Sequence, residues 1–168
     1  MEYADFDDFV ARGSRRLLGT AHLLAENRHT AEDLTQEALI QVFRAWPSIR
    51  STTAVDSYAY RTLIRQSRRR WRHRSRGHEV LMSDVPDSPV SDGARHDADL
   101  SITVRERLAM LPKRQRETLT LRFYSDLSVE DTARVLGCSP GTVKSQTSKG
   151  LQNLRRLLVS PKEIHTAK

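Results

Sequence analysis

The sequence predicts an all-α chain: two small helical domains joined by a flexible acidic linker. Three observations point there. Apolar residues recur at helical spacing in each patterned stretch, and no strand pair, glycine-rich phosphate loop or internal repeat occurs. Charge falls in blocks: residues 61–76 hold eight arginines and no acid, 77–100 hold six acids and one arginine, and 101–168 hold thirteen bases against six acids. Near the C-terminus, Ser128 to Leu158 reads "SVEDTARVLGCSPGTVKSQTSKGLQNLRRLL", which is two helices around a tight turn. The implied units are residues 1–76, a linker at 77–100, a second helical unit at 101–160 and a tail at 161–168.

In chain order, Phe6, Phe9, Val10, Leu17, Ala21 and Leu24 mark a helix from Asp7 to Leu24, with Asp7 and Asp8 at its positive end. Thr30 is expected to cap a second helix, "AEDLTQEALIQVFRAW", which stops at Pro47 because the residue before proline avoids helical geometry. Leu34, Ala38, Val42 and Ala45 face its core. Asp33, Gln36, Glu37, Gln41 and Arg44 line its polar side. A metal site from Asp33 and Glu37 would need a third ligand, and neither a histidine nor another carboxylate is placed to supply it.

A Ser/Thr-rich loop is expected from Pro47 to Asp56. It leads into "SYAYRTLIRQSRRRWRHRSR", whose first half carries packing residues and whose second half is too charged to bury. Arginines interleaved with Tyr58 and Trp71 suit a surface that neutralises phosphates and stacks on bases. Two prolines, two glycines, several serines and six acids keep 77–100 from forming a core. Val104, Leu108 and Leu111 mark a helix ending before Pro112. A further helix follows in "PKRQRETLTLRFY", where Leu119, Phe123 and Tyr124 are expected to pack on the helix pair downstream.

In that pair, Ser128 caps the first helix with Asp131 as its capping partner. Gly137 ends it in the left-handed conformation, Ser139 caps again, and Pro140 occupies the first helical position. Val143, Thr147, Gly150, Leu151, Leu154 and Leu158 share one side of the second helix. Lys144, Ser145, Ser148, Lys149, Gln152, Arg155 and Arg156 share the other, and that side holds no acid. Lysine, arginine, serine and glutamine are the side chains that reach phosphates and base edges from a helix lying in a major groove.

Composition bounds the rest. The chain has 168 residues, 38% hydrophobic and 6% aromatic, so each lobe has a modest aliphatic core, and its formal charge of +7 suits an anionic partner. The single cysteine, Cys138, excludes an internal disulfide and a multi-cysteine zinc site, and reads as a small filler in the turn. There is no long apolar run and the N-terminus is acidic, so neither a signal peptide nor a membrane span is expected, and the protein is expected to be cytoplasmic.

Three stretches carry a resemblance. "AEDLTQEALIQVFRAW" resembles region 2.1–2.2, and "LPKRQRETLTLRFYSDLSVEDTARVLGCS" with "PGTVKSQTSKGLQNLR" resembles region 4, of bacterial sigma factors of the extracytoplasmic-function group. The last stretch is especially similar to the SigE-like branch of actinobacteria. The resemblance implies two helical domains on a flexible linker, no catalysis and no cofactor, and binding to core RNA polymerase and promoter DNA. It assigns Asp33, Gln36, Glu37 and Arg44 to the clamp helices of the largest polymerase subunit. It assigns the segment Ser48 to Asp56, including Ser51, Thr52 and Asp56, with Tyr58, Arg61, Arg65 and Arg69, to melting the minus-ten element. It assigns Lys144, Ser145, Ser148 and Lys149, followed along the same face by Gln152 and Arg155, to the minus-thirty-five element. The acidic linker resembles the segment threaded toward the RNA exit path. The chain departs from relatives at Arg65, where asparagine is common, at Arg68 and Arg69, and at Tyr58, where tryptophan is usual. Any anti-sigma factor would be a separate protein. Two other classes compete: a self-sufficient helix-turn-helix regulator that binds duplex DNA as a dimer, and a nuclease using Asp33 and Glu37.

Overall fold

The computed structural model describes residues 5–49, 51–76 and 102–159, and each regular element among them is helical. The acidic stretch 77–100 and the tail 161–168 lie outside the described residues. Three helices form the first module: α1 (Phe6–Leu24), α2 (Arg28–Ala45) and α3 (Thr52–Arg76), with a 3₁₀ turn at Trp46–Ser48 before α3. Four form the second: α4 (Ile102–Ala109), α5 (Lys113–Leu119), α6 (Val129–Leu136) and α7 (Pro140–Val159).

Three helix starts differ from the expected ones, each because a better cap lies upstream. Asp5 caps α1, its carboxylate accepting from Asp8 N at 2.9 Å. Asn27, not Thr30, caps α2: Asn27 Oδ1 accepts from Thr30 N at 2.8 Å. Ala31, in the first turn of α2, is fully buried. Residues 52–56, expected in a loop, are instead the first turn of α3. Ser51 Oγ accepts from Ala54 N at 3.2 Å, and the early start places Val55 in the core.

The first module's core is Phe9, Leu17, Ala21, Leu24, Ala31, Leu34, Ala38, Val42, Val55, Ala59, Leu63 and Ile64, almost wholly aliphatic. Phe6 sets its ring edge-on to Phe43 and Trp46, with centroids 5.0 and 5.7 Å away, closing one end. The second module's core is Leu108, Leu111 and Leu119, with Val104, Leu151, Leu154 and Leu157 packed against it. Two of the expected packing positions are corrected here. Phe123 is 60% exposed, and Leu158 turns outward while Leu157 takes the inner position. After α5 the helix widens into a π-type turn at Thr120–Tyr124, in which Ser125 N reaches back to Thr120 O at 3.0 Å. The extra residue per turn shifts the face presented by Phe123 away from the core.

Candidate nucleic-acid interface

The helix-turn-helix is built from local chemistry. Ser128 Oγ accepts from Asp131 N at 2.9 Å and donates to Asp131 Oδ2 at 2.6 Å. These bonds, joined by an ion pair with Arg134, hold the Asp131 carboxyl below the usual carboxylate range. Gly137 ends α6 at φ 68° and ψ 44°, and Cys138 N closes the turn onto Ala133 O at 3.0 Å. Ser139 Oγ then accepts from Thr142 N at 3.1 Å, so one of the amides in the first turn of α7 is satisfied as the helix leaves the turn.

Val143 and Gly150 lock α7 down. Val143 is fully buried, and a β-carbon on Gly150 would stand 3.1 Å from Leu119 Cγ and Cδ1, so a larger residue there would need Leu119 to yield by a few tenths of an ångström. Asn153 Nδ2 donates to Gln115 Oε1 at 2.8 Å and fixes the rotation of α7 on α5. That rotation leaves Lys144, Ser145, Ser148, Lys149, Gln152, Arg155 and Arg156 exposed on one side. The acid-free face expected from the sequence is therefore a continuous surface, with its inner side anchored.

On α3, Arg61, Arg65 and Arg69 recur every fourth residue and are exposed along a second basic stripe. Ser51 is exposed at the helix start, whereas Thr52, Asp56 and Tyr58 are half-buried. Tyr58 packs against the core of α1–α3, so its ring is committed to the protein on at least one side. Arg68 lies off this stripe and turns toward the second module. Further along, Lys113 Nζ sits 4.9 Å from the Trp71 ring centroid.

On α2, Gln36 and Arg44 are exposed and Asp33 and Glu37 half-buried, all on the side opposite Leu34, Ala38 and Val42. Glu37 Oε1 accepts from Gln41 Nε2 at 3.1 Å. Exposed Ile40 and Phe43 belong to the same surface, and the sequence reading missed them because it counted only the polar positions. Among the described residues no three metal-ligating side chains gather, and no helix is long and apolar enough to cross a membrane.

Comparison with known proteins follows this geometry. Residues 9–77 match the sigma-70 region 2 family, and residues 101–154 match sigma-70 region 4. The chain is 33% identical over 159 residues to the RNA polymerase sigma-E factor of Streptomyces coelicolor, covering 95% of this chain and 89% of that one. It is 32% identical over 154 residues to the ECF RNA polymerase sigma factor SigM of Mycobacterium tuberculosis, covering 91% and 76%. Among solved structures it resembles the sigma factor RpoE in complex with the anti-sigma factor NepR from Bartonella quintana, with a TM-score of 0.72, 28% identity and coverage of 92% and 96%.

Proposed function

The chain belongs to the extracytoplasmic-function group of sigma-70 family RNA polymerase sigma factors, and from that premise we propose how its surfaces divide the work of directing core RNA polymerase to promoters. Residues 1–76 dock on the clamp helices of the largest polymerase subunit through Asp33, Gln36, Glu37 and Arg44, with Ile40 and Phe43 adding apolar contact. The stripe of Arg61, Arg65 and Arg69, with Ser51, Thr52, Asp56 and Tyr58 at its start, holds the melted minus-ten element. Residues 101–160 read the minus-thirty-five element through Lys144, Ser145, Ser148, Lys149, Gln152 and Arg155. Residues 77–100 link the two. A separate anti-sigma factor is the natural antagonist in this reading. The protein acts in the cytoplasm by binding and catalyses no reaction of its own.

One observation carries this reading: the acid-free side of α7 is exposed along its length while its opposite side is pinned by Val143 and Gly150. Such a face neutralises phosphates and reaches base edges without paying for buried charge. The test is promoter-specific run-off transcription when the purified chain is added to core polymerase, with sequencing of the transcript starts. Defined starts that depend on the chain are expected. Tight duplex binding by a dimer, without polymerase and without new starts, would favour a self-sufficient regulator instead.

A further inference from the structure

Helices α3 and α5 bring four cations to one carboxylate. Arg68 of α3 grips Glu117 of α5 with two donors: Nη2 to Oε2 at 2.7 Å and Nε to Oε1 at 3.1 Å. The Glu117 side chain is only 2% exposed, and this pair engages both its oxygens. Lys113, Arg116 and Arg72 stand close by. The pKa of Lys113 is held below the ordinary lysine value, first by burial and then, with Glu117 opposing, by repulsion from Arg68, Arg116 and Arg72. Burial lowers Arg116 as well, and Glu117 again opposes. Arg116 Nε is buried and meets no hydrogen-bond partner among the described residues. Like charges gathered and partly dehydrated in this way are costly unless a further anion joins them.

An aromatic face completes the cluster. Trp71, whose ring has Lys113 Nζ over it, is 53% exposed. At about 100° per residue, Arg68 and Trp71 lie about 100° and 160° round α3 from Arg69. The cluster is therefore a different surface from the stripe of Arg61, Arg65 and Arg69. On α5, Arg114 is exposed and lies about 160° round the helix from Arg116, outside the cluster.

We propose that Trp71, Arg72, Lys113 and Arg116 form a binding site for a free nucleotide, its base against Trp71 and its phosphates on the three cations. Two features select this class. A lysine and two arginines converging from two helices match the many oxygens of a phosphate chain better than a single carboxylate. An exposed indole accepts a base, because every base offers a π-face. A flat ring joined by a short spacer to concentrated negative charge is a nucleotide. A nucleic-acid strand instead spreads its phosphates along a groove, one per nucleotide, whereas these cations gather at one place beside one ring. The inference goes beyond the sigma-factor reading and does not depend on it: it gives the free chain a small-molecule ligand.

Tryptophan fluorescence of the free full-length chain tests the site, because Trp71 reports on its own occupancy. The chain is titrated with ATP, GTP, inorganic tripolyphosphate, adenosine and a short oligothymidylate matched to ATP in phosphate count. Saturable quenching by ATP or GTP is expected, with tripolyphosphate competing about fivefold or more weakly for want of a stacked base. Adenosine, without phosphates, should give no saturable change. Lys113→Gln and Arg116→Gln should each weaken nucleotide binding about tenfold or more, since each removes a charged contact. Arg114→Gln should leave it as it was. Trp71→Leu should abolish the quench and, followed by calorimetry, bring the nucleotide down to the affinity of tripolyphosphate. Unchanged helical circular dichroism checks that each variant stays folded, and the wild-type titration needs no variant. Absence of saturable quenching by both ATP and GTP would overturn the proposal. Equal weakening by Arg114→Gln and Arg116→Gln would also overturn it, by showing attraction to net charge alone. Oligothymidylate binding as tightly as the nucleotide would make the surface one for strands, and the site for a free nucleotide would fall.

Discussion

Arg70 Nη1 of α3 reaches Asp33 Oδ2 of α2 at 3.3 Å, with His29 Nε2 a further 3.8 Å neighbour of the same carboxylate. The acid proposed for polymerase docking is thus already part of a surface ion pair. Surface pairs of this kind contribute about 0–1 kcal/mol, so a positive partner can displace Arg70 cheaply. Asp33→Arg with Glu37→Arg is expected to abolish co-purification with core polymerase, while the thermal midpoint moves by only a few degrees. Arg70→Ala is expected to leave docking unchanged or tighter. Retained co-purification of the double variant would show that this face is not the docking surface.

Arg61 and Arg65 stand exposed on the α3 stripe, away from the Arg68–Glu117 pair. Arg61→Ala with Arg65→Ala should impair strand opening more than duplex binding, because these groups are placed to meet a separated strand. Permanganate footprinting of the minus-ten region, alongside a duplex-binding assay with the holoenzyme, separates the two effects. Normal melting with lost duplex binding would reverse the assignment.

Lys144 lies in the first turns of α7 and Arg155 about three turns later. A base-edge contact discriminates among sequences by about 1–3 kcal/mol, whereas a phosphate contact weakens all sequences alike. Lys144→Ala should relax the minus-thirty-five preference. Arg155→Ala should weaken binding evenly and reduce the salt slope by about one counterion. Binding is best measured with full-length chain in holoenzyme, because Leu121, Val135 and Leu136 would be left uncovered in a fragment. If Lys144→Ala lowers matched and mismatched promoters equally while Arg155→Ala changes their ratio, α7 lies in the groove the other way.

His22, on α1 facing α4, has its pKa held below the ordinary histidine value, first by burial and then by the positive charge of Arg105, with Glu32 opposing and Arg28 adding a lesser lowering effect. Its carbonyl also accepts from Arg105 Nη2 at 3.3 Å. The sign follows from linkage: above pH 6.5 the ring is neutral folded and unfolded, and nothing is lost. As pH falls below 6.5 the unfolded ring takes a proton that the folded one refuses, so stability declines until the folded pKa is passed. The urea midpoint should therefore drop between pH 7 and pH 5, and His22→Gln should remove part of that drop. Identical pH profiles for the two proteins would show that the ring is not tuned by this contact.

Much of this was readable in the residues. The apolar spacing of α1 and α2 and the Ser128, Gly137, Ser139 and Pro140 signals each act within one or two turns, so local rules placed them. The start of α3 was misplaced because Ser51 was read as loop composition rather than as a cap. Phe123 and Leu158 were assigned inward because an ideal period was extended through a π-type turn in one case and past the last packed turn in the other. The contacts between modules were out of reach. Arg68 and Glu117 are 49 positions apart, and in sequence Arg68 is one arginine among eight. Its departure from the family pattern was the only signal, and the carboxylate that explains it appears only in three dimensions.

Gly137 has nothing within 4 Å of where a β-carbon would stand, so its φ of 68° is what favours glycine there. Its constraint is one of handedness rather than of space. An L-alanine there would cost about 1 kcal/mol or somewhat more through the left-handed backbone. A D-alanine, placed by chemical ligation, takes that conformation naturally and narrows the unfolded ensemble, so it would stiffen the turn between α6 and α7 without touching either helix. The angle at which the second helix leaves the first can thus be frozen by mirror-image chemistry at one position, leaving every side chain on the basic face as it was.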